Sequence, residues 1–188
     1  MRVWRMRFVM FSLVGLFMWG CAPTLTQKER VEKYGPNPPV IDAYGAAAEA
    51  AAGRSWRVYV AAHDPDGDMD RVLFELDRPG YAIRDYHKRL GNDLGQSFSG
   101  YFYLTIPNVS AWRGQALLGN ALTMECEIID KAGHKSKLIT LPFQVVLSPV
   151  PHQTPEGFAE VEANNLGPIM IRFEMEQPWG NPFDDHDQ

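Results

Sequence analysis

The chain is poor in cysteine, in long apolar runs and in positive charge. It has two cysteines, Cys21 and Cys126, in 188 residues, too few for a framework of several disulfides. Its most apolar uncharged run, Phe8 to Trp19, is shorter than the roughly 20 residues needed to cross a bilayer. Lys and Arg number 18 against 23 Asp and Glu, a formal charge of −5. Nucleic-acid affinity rests on Lys and Arg neutralising phosphates, so this balance argues against a nucleic-acid partner. Also missing are a Gly-rich phosphate loop, a His-Glu-x-x-His pair and a Gly-x-Ser-x-Gly elbow, the short motifs that mark phosphate binding, zinc peptidases and serine hydrolases. The expectation is a protein without an enzymatic role. A small metal-dependent hydrolase using clustered acids is the competing catalytic reading.

What the chain does have is a stretch that alternates, turns on acids and alternates again. Trp56, Val58, Val60 and Ala62 oppose Arg57, Tyr59 and His63, and Val72, Phe74 and Leu76 oppose Arg71, Leu73 and Glu75. Period two with β-branched and aromatic residues predicts two half-buried strands. The Asp-Pro-Asp-Gly-Asp between them is turn chemistry: Pro65 sets φ, Gly67 accepts positive φ, and Asp side chains bond nearby N–H groups. Asp64, Asp66, Asp68 and Asp70 fall at alternate positions and repel one another unless water or a cation screens them. The spacing is not that of an EF-hand. Met69 stands where the sharp-turn glycine belongs, and a strand would carry Glu75 roughly 16 Å beyond Asp70, at about 3.3 Å per residue. A looser calcium site and a solvated turn held by Asx bonds are the two readings.

The amino terminus reads as delivery. Arg2, Arg5 and Arg7 precede the apolar run, and Gly20-Cys21 follow it, the layout of a secretory signal over residues 1–20. Met18-Trp19-Gly20-Cys21 resembles the lipobox of bacterial lipoproteins. That resemblance implies cleavage before Cys21, acylation there (palmitate among the chains) and a stable membrane anchor, since several chains hold where one is marginal. Ala22, in place of Asp, resembles cargo destined for the outer membrane. Loss of three arginines leaves 15 basic against 23 acidic residues, moving the charge from −5 to −8. Residues 21–38, polar and ending in prolines, predict a flexible tether with a short helix near Gln27 to Lys33. Cys126, with no partner, reads as a small buried hydrophobe.

Further along, Val40 to Asp42 predicts a short first strand, Ala46 to Ala52 a loop or single turn, and Tyr81 to Gly95 a long irregular connection. Gln96 to Phe98 reads as a short edge strand, and Gly100 to Ile106 as a separate one. Trp112 reads as a plug over one end. Leu122 to Ile128 predicts a strand, Asp130 to Ser136 a hairpin turn, and Lys137 to Val146 a last main strand whose Pro142 belongs at an edge or bulge. The acidic turn between two strands, followed by the Asp-Lys-Ala-Gly-His-Lys-Ser hairpin, resembles the immunoglobulin-like and cadherin-like modules of bacterial surface proteins. The fold class expected is therefore all-β, an immunoglobulin-like antiparallel β-sandwich over residues 39–148. In that fold the two turns share one end, which implies an apical cluster of Asp64, Asp66, Asp68, Asp70 and Asp130, with His63 and His134 nearby. Oxygen ligands suit calcium, and histidines would suit zinc. The expected test is a calcium-dependent rise in melting temperature that Asp66→Ala abolishes.

Thr154-Pro155 resembles a helix start, predicting a helix to about Ala163 and then a strand from Ile169 to Met175. This extension, residues 149–176, is expected to pack over Tyr59, Tyr101 and Tyr103 or to add an edge strand. The competing reading leaves those tyrosines as an exposed platform for sugar or peptide. Residues 177–188 read as a mobile tail. The combined expectation is a lipid-anchored, outer-membrane envelope protein acting by contact with an envelope protein partner, with a calcium- or carbohydrate-binding module as the alternative.

Overall fold

The computed structural model describes residues 25–78, 83–108, 118–171 and 173. Residues 1–20, expected as a signal sequence, Cys21, Trp112 and residues 177–188, expected as a tail, lie outside them. One α-helix and nine strands are described, with two short 3-10 turns (Asn92–Leu94 and Ala159–Val161): α1 (Gln27–Tyr34), β1 (Val40–Ala46), β2 (Glu49–Ala51), β3 (Ser55–His63), β4 (Met69–Asp77), β5 (Arg84–Arg89), β6 (Ser97–Thr105), β7 (Ala121–Asp130), β8 (Ile139–Val146) and β9 (Asn165–Ile169).

The strands form two sheets, ordered β1-β3-β6-β9 and β2-β8-β7-β4-β5. Each sheet has one apolar face, and burying the two against each other makes the sandwich. Alternation sets the inner layer. Val58 and Val60 of β3, Phe74 of β4, Phe102 of β6 and Met124, Cys126 and Ile128 of β7 are all fully buried. Trp56 stacks on Phe143 at 4.1 Å, and Phe74 meets Phe102 edge-on at 5.1 Å, geometries that add to area burial. Burial raises the Cys126 thiol far above its ordinary range, so it sits neutral in the core. The all-β sandwich is as expected. Its ladders are antiparallel except β2–β8 and β6–β9, which are parallel.

Several local expectations are corrected. The alanine-rich 46–52 segment is not a loop: Glu49–Ala51 pairs with Gln144–Val146. β1 runs to Ala46, and residues 97–105 make one strand rather than two. Part of the supposed irregular connection is β5, paired along β4 from Arg84 to Arg89. Pro142 sits on an inner strand, yet β2 reaches only as far as Gln144. Beside the proline β8 is locally an edge, so the missing N–H costs little. The helix after Pro155 does not form. Gly157 turns at φ +86°, and only a short 3-10 turn, Ala159–Val161, follows. A strand forms at Asn165–Ile169 (β9) and adds to the sheet edge beside β6. Of the expected Ile169–Met175 strand only Ile169 belongs to it; residues 170, 171 and 173 carry no strand, and 172, 174 and 175 lie outside the described residues. Ile171 and Phe173 continue onto the core.

The segment expected as a tether is laid against the domain over its described part. α1 forms close to its expected place because Thr26 and Glu29 make a capping box, each accepting a backbone N–H of the other, which satisfies two N–H groups that a helix start leaves without intrahelical partners. Gln27 Nε2 then donates to the Ala132 carbonyl at 3.0 Å. The Asn37 backbone N–H and Nδ2 donate to the Asp66 carboxylate at 2.7 and 2.9 Å.

Candidate functional site

The turn after β3 and the loop after β7 meet at one end of the sandwich. β4 and β7 are hydrogen-bonded neighbours with Met69 opposite Asp130, which brings their loops together. At the close of β3, Asp64 Oδ1 accepts the N–H groups of Asp66 and Gly67 at 2.8 and 3.1 Å. This Asx turn is made possible by Gly67 at φ +76° and keeps Asp64 pointed inward. Asp68 Oδ2 accepts the Lys131 N–H across the two loops at 3.2 Å. Asp130 Oδ1 accepts from Gly133 and His134 N–H at 2.6 and 2.7 Å, and Asp130 Oδ2 lies 2.9 Å from His134 Nδ1.

The result is three buried carboxylates, Asp64, Asp68 and Asp130, each offering one oxygen with all three oxygens within 4.8 Å of one another. They are 2%, 6% and 2% exposed. Asp64 Oδ2 and Asp68 Oδ1 are buried with no hydrogen-bond partner among the described residues. Desolvation, then the neighbouring Asp130 and Asp64 charges, raise the Asp68 carboxyl above the ordinary carboxylate range. Burying like charges together costs free energy, which the backbone N–H groups offset in part for Asp68 and which a proton or a cation would offset further.

Of the five acids expected at this end, the structure therefore brings three together. Asp66 points the other way and is taken by Asn37. Asp70, already on β4, pairs with Arg71 at 2.7 Å. The histidines do not join as ligands either. His63 pairs with Asp42 at 2.8 Å, and His134 is turned onto Asp130. Asp66 is thus the wrong residue on which to test for a bound cation. The role of Gln27 and Asn37 in closing over this end was not read from the sequence. The Thr-x-x-Glu capping box at Thr26 was the available sign that the segment is ordered.

The tyrosine face is corrected in part. Tyr59 is 1% exposed, covered by Phe158 at 5.4 Å between ring centroids and by His152. Tyr101 is half-buried, with the Arg57 guanidinium 4.4 Å above its ring, and Tyr103 is half-buried. His152 and Phe158 of the 149–176 extension are what cover Tyr59, so Tyr59 is not part of an exposed platform. Beside it lies a groove of about 490 Å³ lined by Arg54, Trp56, Arg57, Tyr59 and His152 among others.

No protein-family model matches the chain, and no curated protein matches it. Among solved structures the fold is similar to a CARDB domain from Pyrococcus furiosus, described as in complex with di-metal ions. The TM-score is 0.30 and the identity 10%, covering 59% of this chain and 88% of that one. The likeness is one of β-sandwich architecture. The described helix is not long and apolar enough to cross a membrane.

Proposed function

We propose that the chain is a lipid-anchored envelope protein whose sandwich works by contact, as a structural or protein-interaction module without a catalytic role. One observation carries the contact reading, a difference between two sheet edges that no further strand among the described residues pairs. β5 ends its sheet with Arg84-Asp85-Tyr86-His87-Lys88-Arg89, and charge of this density guards an edge against strand addition. β1 ends the other sheet with one acid and no base, and leaves Val40 41% and Tyr44 50% exposed. An edge of this kind accepts an extended segment of another protein.

The anchor rests on the lipobox-like residues ending at Cys21, and it would place the acidic end near the bilayer. Leu25 follows Cys21 by four residues, so a lipidated Cys21 would lie within about 14 Å of the start of the docked segment, at roughly 3.5 Å per residue.

Photo-crosslinking from native membranes tests the reading. A crosslinker at Tyr44 is expected to capture one dominant envelope protein, and one at His87 none. Equal capture from both edges, or none from Tyr44, would remove the contact surface. Recovery of Cys21→Ala in the membrane fraction would remove the anchor.

A further inference from the structure

We propose that Asp64, Asp68 and Asp130 bind a single hard divalent cation, calcium, which ties the β3–β4 turn to the β7–β8 loop. The orphaned oxygens carry the argument beyond mere acidity. Backbone N–H groups grip Asp64 and Asp68 by one oxygen each. That grip orients the other oxygen, and in both residues the other oxygen is buried without a hydrogen-bond partner among the described residues. A buried acceptor left unmade is costly, and a buried unpaired charge more so. Among the described residues no lysine or arginine forms an ion pair with Asp64 or Asp68. Two loops far apart in sequence thus converge three carboxylates on one point, where two of them, Asp64 and Asp68, have no Lys or Arg partner among the described residues.

The donor set selects the kind of ion. All three donors are carboxylate oxygens, which suit calcium or magnesium rather than zinc. Ligands opposite one another on calcium stand about 5 Å apart, against roughly 4.2 Å on magnesium. The three oxygens, all within 4.8 Å of one another, fall inside the calcium span. Calcium's flexible shell of roughly six to eight oxygens takes three carboxylates more readily than magnesium, which dehydrates reluctantly and usually takes about one or two. Water and main-chain carbonyls would complete its shell.

The site also sits beneath the docked segment. Gln27 holds the β7–β8 loop at Ala132, and Asn37 holds the β3–β4 turn at Asp66. A cation joining the two loops would therefore firm both receptors of the 25–39 segment at once.

The test is calorimetric titration and thermal melting of the full-length protein in detergent, stripped with chelator. Calcium chloride is expected to bind once per chain and, at about a hundredfold excess over its Kd, to raise the melting temperature by roughly 5–10 °C. Magnesium should do less. Asp68→Asn should lose the calcium shift, and Asp66→Ala should keep it. If Asp68→Asn does not fold, Asp64→Asn makes the same comparison, and the wild-type titration alone decides whether a site exists. No heat and no shift up to about 10 mM calcium, tenfold above the weakest ordinary affinities, would overturn the proposal. So would a shift that survives Asp68→Asn.

Discussion

Gly35 and Asp66 share one small space at the acidic end of the sandwich. A Cβ on Gly35 would stand 2.2 Å from the Asp66 carboxylate carbon, and Gly35 itself sits at φ +113°. Gly35→Ala therefore meets both backbone strain and a clash, costs of about 1–3 kcal/mol. The chain's easiest relief is to lift the 25–39 segment off Asp66. Limited proteolysis should then cut within α1 much faster than in wild type, while the sandwich melts at nearly the same temperature. Equal cleavage rates would show that the segment is not held there.

Phe158 plays the corresponding part for the segment that covers Tyr59. It is 1% exposed and lies over Tyr59. Phe158→Ala should cost about 3 kcal/mol, the low end for a buried phenylalanine, because a connecting segment can partly collapse into the gap. Denaturant unfolding checks the figure. Faster proteolysis confined to residues 149–164 would distinguish local release of the cover from general loosening.

Phe143 faces Trp56 in the middle of the core, and there no collapse is available. The Trp56 indole N–H is already committed to the Ala47 carbonyl at 2.8 Å, so the ring cannot tilt into a hole. Phe143→Ala should cost about 3–5 kcal/mol, lowering the melting temperature by roughly 6–20 °C for a chain of this size. Phe143→Leu should cost less. A loss under about 1 kcal/mol for Phe143→Ala would contradict the stacked packing.

Asp68 predicts a pH dependence in chelator. Its folded-state carboxyl lies above the ordinary 3.8 because of burial first and the Asp130 and Asp64 charges second. A carboxyl raised on folding contributes its full stability below the unfolded value and loses it as pH rises through the folded value. The metal-free wild type should therefore lose stability relative to Asp68→Asn as pH climbs from about 4 toward neutrality, with a constant offset below that. Paired denaturant titrations across this range check it. A difference that does not change with pH would mean that Asp68 ionises freely.

Much of the architecture was legible because β3, β4, β7 and β8 each bury one face, and period-two alternation records that burial directly. The pieces that escaped lack that record. β2 is Glu-Ala-Ala and is held by its ladder to β8. β5 carries charge along its length and has Tyr86 as its sole large apolar residue. Thr154-Pro155 has the chemistry of a helix start, yet Gly157 turns the chain so that Phe158 can cover Tyr59. Local propensity lost there to burial of an aromatic ring. At the acidic end the convergence of the two loops was readable from the fold resemblance. Which acids face inward was not, because one Asx turn directs Asp64 into the interior and sends Asp66 out to Asn37.

The residue order alone determines the alternating strands, the acidic turn, the unpaired cysteine in an apolar ladder and the basic, apolar and Gly-Cys run at the amino terminus. Each is a local pattern set by side-chain direction or chain chemistry. The tertiary structure decided that three of five aspartates share a buried point, that Tyr59 is roofed and that the 25–39 segment is docked. Those outcomes depend on which distant backbone amides and rings come within hydrogen-bond or van der Waals reach, and the order of residues along a chain does not state that distance.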